Sequence, residues 1–451
     1  MQAFWLALLL FPQHRDQTAE QKQLQALVSQ IRRLAASEPV VYGVDSRIRT
    51  AEVLSGKYPK IAKDLLRDAD ASIAGVTSPA EQDALRVRIV DAMAPLDFDE
   101  AEHIIGSIHR NREEDFVAQA YDRLVAAVAK EHGDTADVIS KGLHAGGFRS
   151  ASALRMLEDL KTSRSTATEL YAEILGAFPP EPQTDRDVDY LLESTKQIAG
   201  FNHTLAVEGV DKALNAATSS KLLIAAGDKE QRKTVRKNLL REIARVLGEI
   251  EPELLEQYKV ANRELAAAVI PDPPREPEPE QKQELDMPDF GAMSYVDALA
   301  AARKLDDPGA RAAACIEISR REDITGQQRS TVASEALTSA AKMPITNDRL
   351  LILAMISRDF ARNSEPANAG FAAQLLSETY SKACECGGVT CKAPANDTFD
   401  CLGMVQDFAK YLDEFKISPE AMNLNNVSLE VRLLILKLYP LLGLKPPSLW
   451  F

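Results

Sequence analysis

The sequence predicts an all-α chain of stacked helical hairpins, split into two domains by a linker rich in proline and glutamate. Three observations predict it. Apolar residues recur at three- and four-residue spacing through nearly the whole chain, the signature of one buried helix face. The hydrophobic fraction is 45% but aromatics are only 6%, and small or straight-chain apolar side chains suit helix–helix contact better than sheet faces. Finally, one two-helix unit recurs 38 residues later, landmark for landmark and without a gap.

The N-terminus carries an apolar run, Ala3 to Phe11, too short for a membrane span of about 20 residues. It has the length of a signal-peptide hydrophobic region, although no Lys or Arg precedes it and no small-x-small cleavage site follows. Residues 1–15 are therefore read as a candidate signal-peptide remnant, and the chain as exported to a periplasmic or extracellular space, with a cytoplasmic location as the alternative. No integral membrane segment is predicted.

Residues 16–270 form the expected N-terminal helical domain. Leu24, Leu27, Val28, Ile31 and Leu34 line one helix face. Ser78-Pro79, Asp97, Thr135 and Asn202 are helix-start signals, because their short oxygen-bearing side chains accept hydrogen bonds from free first-turn amides. Gly146-Gly147, Pro179-Pro180 and Gly200 are stops. No alternating, β-branched run is long enough for a strand. Residues 271–291 are the linker, PDPPREPEPEQKQELDMP followed by Asp289, Phe290 and Gly291, where proline removes amide donors and favours extended backbone.

Residues 292–451 form the expected C-terminal helical-repeat domain. A helix opening at Asp297-Ala298-Leu299 is followed by Arg311 and a second helix ending in Ile318-Ser319-Arg320. The same order returns at Glu335-Ala336-Leu337, Arg349 and Ile356-Ser357-Arg358. A third unit is expected from Pro366, with Phe371, Leu375 and Leu376 as its stripe and Asp400 to Leu412 as its second helix. Ala101 to Ile108 and Phe116 to Val128 echo this order in the N-terminal domain. In period and style the units resemble the α-solenoid class, between tetratricopeptide repeats of about 34 residues and HEAT repeats of about 40–47. The tetratricopeptide signature residues are absent, so no specific family is matched. The resemblance implies stacking, since a lone hairpin cannot bury its own apolar face. The apolar segment Val431 to Leu444 is expected to pack under the preceding repeats or to meet a partner.

Chemistry-bearing candidates are few. Cys384, Cys386, Cys391 and Cys401 fall within eighteen residues. In an oxidising compartment they would form two disulfides of undetermined connectivity; in a reducing one they could hold zinc with four thiolates. The spacing C-x-C-x4-C-x9-C lacks the paired C-x2-C knuckles of common zinc modules, so the disulfide reading is preferred and no cofactor is expected. Cys315 stands alone in an apolar stretch and is read as a core residue. No histidine pair has metal-ligand spacing, and no nucleophile elbow, phosphate loop or dinucleotide fingerprint occurs. No catalytic residue is nominated. Lys229, Arg232, Lys233, Arg236 and Lys237 share a helix face and form a candidate anion-binding surface, diluted by Glu230 and Glu242. The net charge of −14 argues against nucleic acid as a main partner.

These readings combine into a non-enzymatic scaffold that binds a protein or peptide. Two alternatives stand beside it: an enzyme or accessory domain acting on cell-wall polymer from a site between helices, and a zinc-stabilised cytosolic adaptor.

Overall fold

The computed structural model describes residues 3–109, 114–130, 133–160, 163–179, 182, 184–218, 228–269, 288–362, 366–383, 390–392, 398–414 and 427–447, with side chains of the first helix from residue 19 onward. In chain order, the first three helices are α1 (Ala3–Ala35), α2 (Val40–Leu54) and α3 (Pro59–Ile73). Then come α4 (Pro79–Met93), α5 (Phe98–Ile105), α6 (Phe116–Lys130), α7 (Thr135–His144) and α8 (Ala151–Asp159). They are followed by α9 (Arg164–Ala177), α10 (Asp185–Ala199), α11 (His203–Ala217), α12 (Lys229–Ile250), α13 (Pro252–Ala261) and α14 (Arg263–Val269). The C-terminal part holds α15 (Tyr295–Arg303), α16 (Pro308–Ser319), α17 (Gly326–Ala340), α18 (Asn347–Arg362) and α19 (Pro366–Ala383). It closes with β1 (Thr390–Lys392), β2 (Thr398–Asp400), α20 (Cys401–Glu414) and α21 (Val427–Leu441). The chain is all-α apart from the antiparallel β1–β2 ribbon, which pairs Cys391 with Phe399. Three-residue strands are too short for a period-two pattern to register in sequence. Among the described residues no helix is long and apolar enough to cross a membrane.

The helix starts follow local chemistry. Ser78 Oγ accepts from the Glu81 amide, Asp97 from Glu100 and Asn202 from Leu205. At the fourth site the cap is Asp134, whose carboxylate accepts from Ala136 and Asp137, and Thr135 is the first helical residue. An ionised oxygen at that position also complements the positive helix end.

Contacts divide the chain into two compact units. One comprises residues 1–76 and 281–451, the other residues 77–280. The division at residues 280 and 281 falls inside the expected linker, while the grouping of α1 to α3 with the C-terminal repeats was not expected. The physical reason lies in α21. Its sequence, VSLEVRLLILKLYPL, is apolar on more than one side, so one neighbour cannot cover it. It packs on α20 and also on α1 and α2, burying Leu429, Val431, Ile435, Leu436 and Leu438. The helix ends where Gly443 adopts φ +67 and the Leu444 amide reaches back 2.8 Å to the Tyr439 carbonyl, the wrapped αL ending that glycine permits at low strain.

The repeat is structural as well as textual. Ala298, Leu299, Ala302, Cys315, Ile318 and Ser319 are buried, and so are their counterparts Ala336, Leu337, Ala340, Leu353, Ile356 and Ser357. The shared arginine has one role in both units. Arg311 donates through Nε to the Leu305 carbonyl at 3.0 Å, and Arg349 through Nη1 to the Met343 carbonyl at 2.8 Å. Each guanidinium thereby satisfies a carbonyl just beyond the preceding helix, where partial negative charge gathers. Arg320 and Asp359, at 2.9 Å, tie the two units together.

The third unit departs from expectation at Phe371, which is 59% exposed. Its buried stripe is Ala369, Ala372, Ala373 and Leu376, with Leu375 half-buried. Four small or straight side chains let α18 and α19 approach closely, which a phenyl ring at the interface would prevent.

Candidate functional site

Two concave regions lie in the unit of residues 77–280. The larger is a groove of about 660 Å³ lined by Asp185, Asp189, Tyr190 and Glu193 from α10 and by Val235, Asn238, Leu239 and Glu242 from α12. The helical period explains its make-up. Val188, Leu191, Leu192 and Ile198 turn inward on α10, which leaves positions 185, 189 and 193 in one outward row. On α12, Leu239, Ile243 and Val246 are buried, so Val235 and the edge of Leu239 supply the groove with apolar surface.

The wall at Tyr190 is rigid. Its hydroxyl donates to the Ser150 carbonyl at 2.8 Å, and its ring meets Phe148 edge-on at 4.9 Å. Burial raises the Tyr190 phenol well above its ordinary acidity range, so it stays neutral. The Ser150 turn is itself held by carboxylates. Asp115 accepts from the Phe148 and Arg149 amides at 3.0 and 2.8 Å, and Asp122 accepts from Ser150, Ala151 and Ser152. Asp115 does this at φ +46, a left-handed conformation that aspartate tolerates better than most residues.

The groove's carboxylates are not equivalent. Glu242 is bound through Arg245 Nε at 2.9 Å and through Lys196 Nζ at 3.2 Å. Arg245 foremost, then Lys196, hold its carboxyl below the ordinary range against the opposing effect of burial. Lys196 also reaches Glu193 at 3.0 Å. Asp189 is pushed the other way: burial raises its pKa, and the charges of Asp185 and Glu242 raise it further, only partly offset by Lys196. Crowded negative charge of this kind favours a cation.

The second region, of about 600 Å³, is lined by Leu143, His144, Ala172, Glu173, Gly176 and Ala177. His144 Nδ1 lies 2.8 Å from the Ser140 carbonyl, so in this contact Nδ1 is the donor. Among the described residues no group of three or more potential ligands is arranged to hold a metal ion.

The residues singled out from sequence are placed as follows. Lys229, Arg232, Lys233, Arg236 and Lys237 all lie on the first half of α12. Lys233 pairs with Glu230 at 2.7 Å and Arg236 pairs with Glu264, so part of this face is already neutralised within the chain. Cys384 and Cys386 lie outside the described residues. Cys391 is on β1 and Cys401 opens α20, and their side chains likewise lie outside what the structure describes. Cys315 is buried and free, and burial pushes its thiol up to about 11. It is an inert core residue, as expected.

Sequence reasoning missed the α10–α12 groove. A row of carboxylates at four-residue spacing reads as a solvated face. Nothing in the sequence placed it opposite Val235 and Leu239.

No family model matches the chain, and no curated protein does so either. Among solved structures, the chain is similar to a circular tandem repeat protein with novel repeat topology and enhanced subunit contact surfaces. That likeness covers 93% of this chain and 98% of the other, at 11% identity and a TM-score of 0.17. At that score the two backbones do not superpose as wholes, and the repeat rests on this chain's own burial pattern.

Proposed function

We propose that this helical-repeat protein is a non-enzymatic scaffold whose α10–α12 groove receives a peptide segment carrying lysine or arginine beside an apolar residue. The observation that carries the reading is the pairing of an apolar wall, Val235 and Leu239, with the carboxylate row of Asp185, Asp189 and Glu193. A cationic side chain would relieve the crowding at Asp189, and an apolar one would cover Val235. The groove's volume falls within the range of about 300–1,000 Å³ usual for ligand sites.

Fluorescence anisotropy tests this with two labelled decapeptides, one of alternating lysine and leucine and one of alternating glutamate and leucine. The basic peptide binds and weakens with added salt, and the acidic one does not bind. The double variant Asp189→Asn, Glu193→Gln loses about five- to tenfold in affinity, as expected for two partly exposed charge pairs. Equal binding of both peptides, or an unchanged affinity in the variant, overturns the reading.

A second reading has its own observation. Asp189 and Glu242 line one groove and have acidities displaced in opposite directions, the pattern of a general acid and a carboxylate base. Against it, both Glu242 oxygens are already held by Arg245 and Lys196. Release of reducing sugar from soluble cell-wall fragments, abolished by Asp189→Asn, would replace the scaffold reading with this one.

The proposal extends to the compartment. The apolar N-terminal run and the four clustered cysteines favour an extracytoplasmic, disulfide-bonded protein. Thiol titration of native protein under denaturing, non-reducing conditions is expected to find a single reactive thiol, Cys315, and elemental analysis no stoichiometric zinc. Five thiols with one bound zinc would instead support the cytosolic adaptor.

A further inference from the structure

The contact between α21 and the first helices is built around a buried charge, and that charge has chemical consequences. Arg432 is 0% exposed. Its Nη2 donates to Asp45 Oδ2 at 2.7 Å, and its Nη1 donates to Ser46 Oγ. Asp45 also takes Arg49 Nε at 2.8 Å. Glu38, in the turn between α1 and α2, is buried beside them but stands farther from the cation, with Oε1 4.0 Å from Arg432 Nη1. Its close partner is a hydroxyl: Ser46 Oγ lies 2.5 Å from Oε2. The guanidinium of Arg432 is thus committed to Asp45 and Ser46, and Glu38 is the carboxyl with the least direct compensation.

We propose that the docking of α21 on α1 and α2 is a proton-linked clasp, in which buried Glu38 sits as a neutral acid and the helix is held more tightly in mildly acidic than in neutral or alkaline solution. The reasoning is one of desolvation. Withdrawing an ionised carboxylate from water is costly unless a cation meets it closely, and the group keeps its proton instead. Burial is the leading influence on the Glu38 carboxyl and raises its pKa above 4.5. Arg432 and the Ser46 and Ser428 hydroxyls pull the other way, and Asp45 adds to the rise. The other charged groups around the socket are Arg47 and Arg49 on α2. Arg47 feels Glu38 together with Arg32 of α1 and Asp68 of α3, and Arg49 feels Asp45, Glu52 and Tyr439.

The direction of the effect follows from linkage. When α21 is undocked, Glu38 meets water and ionises near its ordinary value. When docked, it holds its proton to higher pH. The raised pKa therefore contributes stability that is fully present below about pH 4.5 and is lost as pH rises through the docked value. Undocking would expose Leu429, Val431, Ile435 and Leu436, together with the α2 residues Val44 and Ile48, all buried in the closed state.

Hydrogen exchange followed by mass spectrometry on the full chain tests the proposal, with rates corrected for intrinsic pH dependence. Between pH 5 and pH 8, protection of amides 427–441 is expected to fall by about threefold or more. Protection of α9 in the other unit should stay constant over the same range. In Glu38→Gln, which mimics the neutral acid, the decline in α21 should vanish. Constant α21 protection in the unaltered protein, an equal decline in both units, or a decline that persists in Glu38→Gln each overturns the proposal. If Glu38→Gln fails to fold, the pH dependence of the unaltered protein still tests the clasp, through the contrast between α21 and α9.

Discussion

Replacing Arg432 by alanine is expected to destabilise the unit of residues 1–76 and 281–451 by about 3–5 kcal/mol, the usual cost of removing one member of a buried ion pair. The loss would come from two sources. Asp45 and Glu38 would remain buried without the guanidinium, and the space of one of the largest fully buried side chains would be left empty. The contact spans the chain, since Arg432 and Asp45 are 387 residues apart in sequence. Urea denaturation followed by circular dichroism should therefore show the transition of that unit moving to lower denaturant, while the α10–α12 unit keeps its midpoint. Converting Arg432, Asp45 and Glu38 together to apolar residues of similar volume should cost far less than Arg432→Ala alone, because no fully buried charge is left and Arg49, which loses Asp45, is partly exposed to water. If Arg432→Ala left both midpoints unchanged, the buried network would have no role in holding α21.

The second large effect is expected from Gly209→Ala in the unit of residues 77–280. Gly209 lies on α11 where α9 and α10 converge. A β-carbon there would overlap the hydroxyls of Tyr171 and Thr195. These two groups share a buried hydrogen bond of 2.7 Å, and Tyr171 is fully buried. Neither can retreat without losing its partner, so overpacking and a broken buried hydrogen bond would act together. Alanine is ordinarily the better helix former by about 1 kcal/mol. Here the steric terms should win, for a net destabilisation of about 2–3 kcal/mol. Tyr171→Phe in the same background removes one of the two overlapping hydroxyls and should recover part of the loss. A Gly209→Ala protein as stable as the parent would mean that α11 can shift outward freely.

Much of the fold was legible along the chain because local rules act over a few residues. Ser78, Asp97 and Asn202 cap the helices they precede. The 38-residue repeat was readable since equivalent burial demands equivalent side chains at equivalent places, and Arg311 and Arg349 repeat even the carbonyl they bind. Phe371 shows where this reasoning fails. An apolar side chain at helical spacing reads as core, yet the ring is exposed and alanines make the contact. Only the distance between α18 and α19 decides that, and distance between helices is not written in either one.

The α10–α12 groove marks the same boundary. Asp185, Asp189 and Glu193 could be assigned to one face of a helix from their spacing. The raised pKa of Asp189 could not, because it depends on its desolvation by the assembled fold and on Glu242 arriving from another helix.

By itself, the sequence determined that this protein is helical, where several of its helices begin, and that a hairpin unit repeats after residue 292, since backbone capping and amphipathic period are local matters. The apolarity of Val431 to Leu444 also announced that the segment would be covered. Only the tertiary structure decided what covers it: α20, with α1 and α2 from the opposite end of the chain, keyed by Arg432 to Asp45. Desolvation acts on whatever groups the fold brings together, and a charge's partner several hundred residues away leaves no periodic trace in the sequence between them.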